Sequence, residues 1–263
     1  IQEAIIERAN QPMFGYFTPK KEYYDSIIKW HEDRNGVTGM TPDHIGYENG
    51  VLGCLMSVVD AFSAPGDYIL VHSPTYIGFT SSLTNNGRRI ILSSLVKDDE
   101  GVWRMDYDDM DAKLKKYNIH LAIFCSKNND CLVISDEIWS DIILYGNKHI
   151  PTQSVSEDAK NRTVAIYAPS KTFNLAGLVG AYHIIYNKYL RDRVRAQSSK
   201  SHYNQMNVLS MHALIGAYKE EGREWVDELC MVLGENIDYA CDHIANNYKG
   251  IKFFKPEGTY MLY

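Results

Sequence analysis

The sequence of 263 residues lacks the marks of several large protein classes. It has no run of about 18 apolar residues, so nothing in it predicts a membrane span. Its opening stretch, IQEAIIERAN, lacks the charged-then-apolar layout of a signal peptide and instead indicates a helix. Its five cysteines include no CxxC pair, which argues against a disulfide framework or a zinc site. This cysteine usage is typical of reduced thiols in a cytoplasmic protein.

Common catalytic and nucleic-acid signatures are also absent. The sequence contains no HExxH, GxSxG, P-loop or GxGxxG motif, and its nine histidines are scattered without ligand spacing. The formal net charge of −6 argues against nucleic acid as a partner. The local excess of positive charge at 188–200 has helical spacing and predicts a solvated helix face, formed by Lys188, Arg191, Arg193, Arg195 and Lys200.

Apolar runs with the length of buried strands recur along the chain. They lie at 68–73, 89–94, 120–126, 131–137, 163–168 and 181–186. Several are continuous rather than alternating, as in strands that are covered on both faces. Helical patterns lie between many of them, from Val51 to Phe62, from Thr75 to Asn86 and from Met105 to Tyr117. This alternation predicts an α/β domain with a mainly parallel sheet flanked by helices.

The pattern changes after Asn187, where helices are predicted at 188–200 and 205–248. The last stretch, IKFFKPEGTYMLY, predicts two strands joined by a turn at Pro256-Glu257-Gly258. We therefore divide the chain into an N-terminal arm (1–18), a large domain (19–222) and the start of a smaller α+β C-terminal domain (223–263).

One junction does not fit a parallel sheet. The runs LAIFCS and CLVIS are separated only by residues 127–130. A parallel crossover needs about a dozen residues or more, usually with a helix. Either the two strands form an antiparallel hairpin, or residues are missing between Ser126 and Lys127. Both chain ends also look clipped, which favours missing residues.

Two predicted strands end in ionisable side chains. The run CLVIS leads to Asp136, and VAIYAPS leads to Lys171. Ligands of open parallel sheets bind outside the carboxyl ends of the strands, so these side chains could share one crevice; a simple salt bridge is the alternative. A magnesium site at Asp136, Glu137 and Asp141 is disfavoured, because strand alternation sends Asp136 and Glu137 to opposite faces.

Two further features also indicate a ligand site. Asn49-Gly50 precedes an amphipathic helix, and such a helix start suits a phosphate, although an ordinary glycine-led helix also explains it. Tyr76 in SPTYIGF follows a strand, where its ring either covers a planar ligand or belongs to the core. With Asp136 and Lys171, these features meet the needs of pyridoxal 5′-phosphate (PLP): a lysine for a Schiff base, a carboxylate for the pyridine nitrogen and a phosphate cradle.

The motifs carry a family resemblance. SDEIWSD (135–141) followed by APSKTFNLAGL (168–178) resembles fold-type-I PLP enzymes of the aminotransferase superfamily. More narrowly, it resembles the cystathionine β-lyase-like carbon–sulfur lyases of the PatB/MalY type. FGYFTP…YYDSIIKWHEDRNG (14–36) and GDYILVHSPTYIGF (66–79) are similar to the same family. The resemblance implies a lyase that converts cystathionine or a related cysteine S-conjugate to pyruvate, ammonia and a thiol. An aminotransferase is the alternative, and a regulatory protein that binds a transcription factor is a third.

The resemblance also implies roles for individual residues. Lys171 would bind PLP covalently, Asp136 would pair with its ring nitrogen, and Tyr76 would stack on the ring. Tyr16 would reach into the site of the neighbouring subunit, because the family builds each site at a homodimer interface. The phosphate would be bound by the N–H groups near Val51 and Leu52 and by the Ser170 hydroxyl.

Several positions depart from the family pattern. Trp139 stands where many relatives have a tyrosine, and offers an indole N–H to the cofactor instead. Val179 stands where many aminotransferases have an arginine that binds phosphate. The Asn-Pro-Gly loop that usually follows the FCS strand is absent, and its role is not assigned to Asn128 or Asn129. The arginine that binds the substrate carboxylate is expected beyond the C-terminal end of this sequence.

Overall fold

A computed structural model describes residues 1–99, 101–123, 131–200 and 204–262. The helices are α1 Gln2–Ala9, α2 Lys21–Asn35, α3 Val51–Phe62, α4 Ile77–Asn85, α5 Tyr107–Tyr117, α6 Glu157–Arg162, α7 Pro169–Thr172, α8 Lys188–Ser198, α9 Val208–Ala217 and α10 Glu220–Asn247. The strands are β1 Ile45–Asn49, β2 Tyr68–Ser73, β3 Arg89–Lys97, β4 Trp103–Met105, β5 Leu121–Ile123, β6 Leu132–Asp136, β7 Thr163–Tyr167 and β8 Gly180–Ile184. Short 3-10 helices lie at Pro42–His44, Thr152–Ser154 and Ala176–Leu178. Within these ranges, none of the helices combines the length and apolarity that crossing a bilayer requires.

The strands form one eight-stranded sheet in the order β1-β8-β7-β6-β5-β2-β3-β4. The central strands β3, β2, β5, β6 and β7 are parallel. The outer pairs β1–β8, β7–β8 and β3–β4 are antiparallel. The prediction of an α/β fold with a mainly parallel sheet is confirmed.

The strands β5 and β6 are parallel, although the short connection between them in the sequence argued against a parallel pair. The two strands pair in parallel, with Leu121 opposite Leu132. The antiparallel hairpin is therefore wrong. Residues 124–130, including Asn128 and Asn129, lie outside the described ranges, so the expectation of missing residues after Ser126 stays a prediction.

Helices cover both faces of the sheet because strand side chains alternate. On β7, Val164 and Ile166 belong to a buried cluster with α3 and α8, whereas Ala165 and Tyr167 belong to a cluster with α2 and α9. Burying each large apolar side chain contributes about 1.5–3 kcal/mol. The ends of the central strands are therefore held firmly from both sides.

The C-terminal segment differs from its prediction. No strand forms in the described residues after α10, and Gly258 makes only an isolated bridge with Ile143. Phe253 and Leu262 instead pack against a small cluster with Leu144 and α10. A lone hairpin is marginally stable in water, so packing on a helix takes its place. Because α10 continues across residues 222 and 223, the domain boundary there stays a prediction.

Candidate active site

Lys171 lies in the short turn of helix that directly follows β7. Pro169 occupies the first turn of α7, where its missing N–H is not needed. The Lys171 ammonium lies 5.5 Å from the centroid of the Trp139 ring. In the described part of the chain, the charge of Lys171 acts on Asp136 and lowers its pKa, without a direct salt bridge between the two side chains.

Asp136 ends β6, next to β7 in the sheet. It lies two residues after Ile134, which packs in the α3 cluster, so its side chain points to the same face. Its Oδ1 accepts a hydrogen bond from the N–H of Ile138 at 3.1 Å. Burial raises the pKa of Asp136 to about 6; the Ile138 N–H and the Lys171 charge oppose this, and the Glu137 charge adds to it. Asp136 and Lys171 therefore act on each other electrostatically at neighbouring strand ends.

The start of α3 lies near Asp136, because Cys54, close to the start of this helix, interacts electrostatically with the Asp136 carboxylate. Gly50 precedes the helix with φ 78°, and no side chain caps the first turn. An added Cβ at Gly50 would lie 3.6 Å from Val179, which itself has φ 60°, an uncommon conformation for a β-branched residue. The first N–H groups of the helix, including those of Val51 and Leu52, have no partner within α3, which is the arrangement that anions bind.

Two aromatic residues belong to the predicted site. Tyr76 precedes α4 with 60% of the residue exposed, and its ring lies 2.2 Å from where a Cβ of residue 78 would stand, so Gly78 permits its position. Trp139 meets the ring of Tyr260 edge-on at 4.6 Å. A cavity of about 300 Å³ adjoins Lys171 and is lined by Ser170, Lys171, Thr172, Asn174, Ala176, Trp225, Leu229, Leu233 and Tyr260.

Lys171 lies close to Trp139 and its charge acts on Asp136, and Ser170 lies in the same short helix; the roles of the predicted site residues stay predictions. Ser170 precedes Lys171 in α7 and is partly buried. Tyr16 instead lies on the arm between α1 and α2, and its side chain is fully exposed. Its role in the site of a neighbouring subunit stays a prediction.

Sequence reasoning missed the group that fixes the lysine turn. The buried Asp141 carboxylate accepts hydrogen bonds from Trp30 Nε1 at 3.0 Å and from Thr172 Oγ1 at 2.9 Å. Arg34 Nε lies 3.6 Å from the same carboxylate. Burial raises the pKa of Asp141, and the Arg34 charge opposes this. Because Thr172 follows Lys171 directly, Asp141 holds the backbone that carries the lysine.

The side chains present fit PLP. Among the described residues, Lys171 has no carboxylate partner, and only one oxygen of Asp136 accepts a hydrogen bond. The uncapped start of α3 suits the phosphate, and the exposed face of Tyr76 suits the ring. These four features match the aldehyde, pyridine nitrogen, phosphate and aromatic plane of the cofactor.

The fold and this set of side chains define a fold-type-I PLP enzyme. The chain belongs to the aminotransferase class I and II family, whose model matches residues 1–131 and 120–263. Cystathionine β-lyase PatB of Bacillus subtilis is 32% identical over 284 residues, which cover 100% of this chain and 73% of the relative. The PLP-containing crystal structure of cystalysin from Treponema denticola matches with a TM-score of 0.92 and 28% identity, over 99% of this chain and 71% of that one. A PLP-bound C–S lyase from Staphylococcus hominis matches with a TM-score of 0.89 and 28% identity, over 99% and 72%.

Proposed function

We propose that the protein is a PLP-dependent carbon–sulfur β-lyase whose substrate is cystathionine or a related cysteine S-conjugate. The observation that carries the proposal is the placement of Lys171 and Asp136 at neighbouring strand ends, beside the uncapped start of α3. The relatives named as cystathionine β-lyase and C–S lyase favour elimination over amino transfer. Val179, at the position where many aminotransferases have arginine, also favours a lyase.

Each side chain has a distinct task in this proposal. PLP, when bound, supplies an electron sink that makes the substrate Cα proton removable. Lys171 binds the cofactor and, once the substrate amine has displaced it, accepts the Cα proton at Nζ. The Asp136 carboxylate accepts a hydrogen bond from the N–H of the pyridine ring and so keeps the ring nitrogen protonated. The thiolate then leaves from Cβ and takes up the proton that Lys171 accepted, and water hydrolyses the remaining three-carbon fragment to pyruvate and ammonia.

Further side chains bind and orient. The N–H groups of Val51 and Leu52 and the Ser170 hydroxyl bind phosphate, and Tyr76 stacks on the ring. Trp139 lies over the Lys171 ammonium and offers its indole N–H to the cofactor. These roles are what the family resemblance implies, and the chemistry of the donor atoms supports them.

The assembly in this proposal is a homodimer with shared sites. The exposed apolar side chains of the arm support it: Met13 is 79% exposed, Phe14 57%, and Tyr16 is fully exposed. Apolar surface of this kind marks an interaction site. The free thiols of Cys54, Cys131, Cys230 and Cys241 support a reducing, cytoplasmic location.

Covalent binding of the cofactor is the first test. Purified full-length protein is expected to be yellow, and borohydride reduction is expected to attach PLP to Lys171. The Lys171→Ala variant should lose this adduct, whereas Lys188→Ala, whose exposed ammonium pairs with Asp192, should keep it. Attachment to another lysine would show that the site is assigned wrongly.

The choice between lyase and aminotransferase has its own test. Elimination needs no second substrate, because the electrons leave with the thiolate. We therefore expect L-cystathionine alone to release pyruvate, ammonia and homocysteine over many turnovers. A reaction that stops after one half-turnover and resumes with 2-oxoglutarate would identify an aminotransferase.

A further inference from the structure

A second buried carboxylate lies directly behind Asp136. Glu137 follows it on the opposite face of the strand, with 4% of the residue exposed. Its Oε2 accepts hydrogen bonds from His149 Nε2 at 2.7 Å and from the Tyr167 hydroxyl at 2.5 Å. Its Oε1 accepts bonds from the Ser135 hydroxyl and the Thr152 N–H, each at 3.0 Å. Both oxygens are thus fixed by two donors.

This set of donors keeps Glu137 ionised inside the protein. Burial alone would favour the protonated acid. The hydrogen bonds and charge of His149, together with the bonds from Tyr167 and Thr152, outweigh it, so the pKa of Glu137 lies below its usual range. A buried carboxylate with a lowered pKa therefore lies one residue from the proposed ring-nitrogen partner.

The charge has a direct effect on Asp136. Two effects raise the pKa of Asp136: burial, which is the larger, and the charge of the Glu137 carboxylate. A carboxylate with higher proton affinity accepts a stronger hydrogen bond from a protonated ring nitrogen. The backbone contributes too, because the Glu137 N–H donates to the Ile166 carbonyl at 2.9 Å and ties this end of β6 to β7.

The other titratable groups around the pair leave this influence in place. From α2, His31 packs against the Tyr167 ring at 4.4 Å, and burial lowers its pKa to about 4, so it is neutral above that pH. Asp141, in the segment after β6, carries a charge that acts on Tyr167. On the opposite face, Lys171 from α7 and the Cys54 thiol from α3 interact with Asp136. His149 is the group that can offset the Glu137 charge directly.

We propose that Glu137 is a positioning residue for Asp136: it fixes the end of β6, and its charge makes Asp136 a stronger hydrogen-bond acceptor for the cofactor nitrogen. The proposal rests on the proposed function for the task of Asp136. The electrostatic influence itself is a property of the protein without cofactor and can be measured there.

The test is a titration of Asp136 in the full-length apoenzyme labelled with carboxyl-¹³C aspartate. The Asp136 signal is assigned by its loss in Asp136→Asn. In Glu137→Gln, which keeps the side-chain shape and removes the charge, we expect the Asp136 midpoint to fall below that of the wild type. The apoenzyme of this variant should also bind PLP more weakly at pH values above the wild-type midpoint.

The chain offers a matched control in another buried glutamate–histidine pair. Glu48 on β1 is fully buried and accepts a bond from His183 Nδ1 at 2.8 Å, as Glu137 does from His149. Glu48→Gln should cause a comparable loss of stability, yet leave the Asp136 midpoint unchanged. An equal shift in both variants would mean that the effect is structural, which overturns the proposal.

A second variant keeps the test decisive if Glu137→Gln folds poorly. His149→Gln retains a donor to Glu137 and removes a ring that carries positive charge only when protonated, so the Asp136 midpoint should stay unchanged or rise. A midpoint that falls in His149→Gln overturns the proposal. Near-normal turnover in Asp136→Ala would instead contradict the proposed function, and it leaves the influence of Glu137 on Asp136 intact.

Discussion

Asp136 shows at the scale of one residue how a functional group can oppose stability. Burial raises its pKa from the ordinary value of 3.8 to about 6, because the ionised form loses solvation. The folded protein therefore favours the protonated acid more than the unfolded chain does. Below about pH 4 both states are protonated and no penalty arises. The penalty grows as the pH rises and is complete above the folded pKa of about 6.

We predict from this that Asp136→Asn stabilises the apoenzyme at neutral pH. The asparagine removes a penalty of at most about 3 kcal/mol, reduced by the partial exposure of the side chain. The gain should be present at about pH 8 and vanish at about pH 4, as measured by urea unfolding of the full-length apoenzyme. A gain of equal size at both pH values would show that the charge of Asp136 is not its cause.

The residues of the site differ in how far sequence could predict them. Lys171 and Asp136 were predictable because each directly follows an apolar run, and the ends of parallel strands meet at one edge. The partners of Asp141 were not, because Trp30 lies 111 positions away and reaches it only through packing of α2 on the sheet. His149 carries no spacing signal either, since its bond to Glu137 depends on the loop path after β6.

At the scale of structural elements, α3 begins after a glycine with positive φ, at the proposed phosphate site. Gly50 has φ 78°, and a Cβ there would meet Val179 at 3.6 Å. Gly36 has a similar φ of 65° at the end of α2, but a Cβ there meets nothing within 4 Å. Gly50 has ψ 160°, in a region that is essentially open only to glycine, whereas Gly36 has ψ 20° and is left-handed helical, so a substitution strains the backbone more at Gly50.

This pair of glycines gives a matched prediction. Gly36→Ala should lower the free energy of unfolding by about 1 kcal/mol and Gly50→Ala by about 1–3 kcal/mol, because alanine is strained at positive φ and more so with the extended ψ of Gly50. Only Gly50→Ala should weaken PLP binding by the apoenzyme, since it shifts the first N–H groups of α3. Equal PLP affinity in the two variants would place the phosphate elsewhere.

Sequence patterns predicted the buried elements better than the exposed ones. The predicted helix from Val51 to Phe62 and strand 68–73 agree with α3 and β2. The predicted solvated basic face of α8 is only partly correct: Arg191, Arg193 and Arg195 donate to backbone carbonyls of Ile185, Ala61 and Asp43. The spacing of these arginines predicted a helix. The carbonyl groups that their side chains can reach depend on how the helix packs, which the spacing does not show.

At the scale of the whole molecule, two observations concern the connection between β5 and β6. The strands are parallel, although residues 124–131 alone connect them. The family model matches in two stretches that overlap at residues 120–131. Since a parallel crossover needs about a dozen residues or more, both observations support the expectation that residues are missing after Ser126.

The proposed homodimer with shared sites predicts that variants of Tyr16 and Lys171 complement each other. Tyr16 and Lys171 would serve the same site only from different subunits, so lesions in the two residues should complement each other. In a dimer of one Lys171→Ala and one Tyr16→Ala subunit, one site carries both lesions and the other carries neither. Each mixed dimer therefore keeps one intact site of two, so isolated mixed dimers should show about half of wild-type activity.

The control for this experiment is a mixture of Lys171→Ala and Asp136→Ala. Both residues serve the site of their own subunit, so every site in a mixed dimer keeps one lesion and activity should stay at the level of the separate variants. Activity is measured as pyruvate release after co-expression with two affinity tags, which isolates the mixed dimers. No recovery in the Tyr16 mixture would mean that Tyr16 does not cross to the neighbouring subunit. Recovery in the control would mean that Lys171 and Asp136 do not serve the site of one subunit.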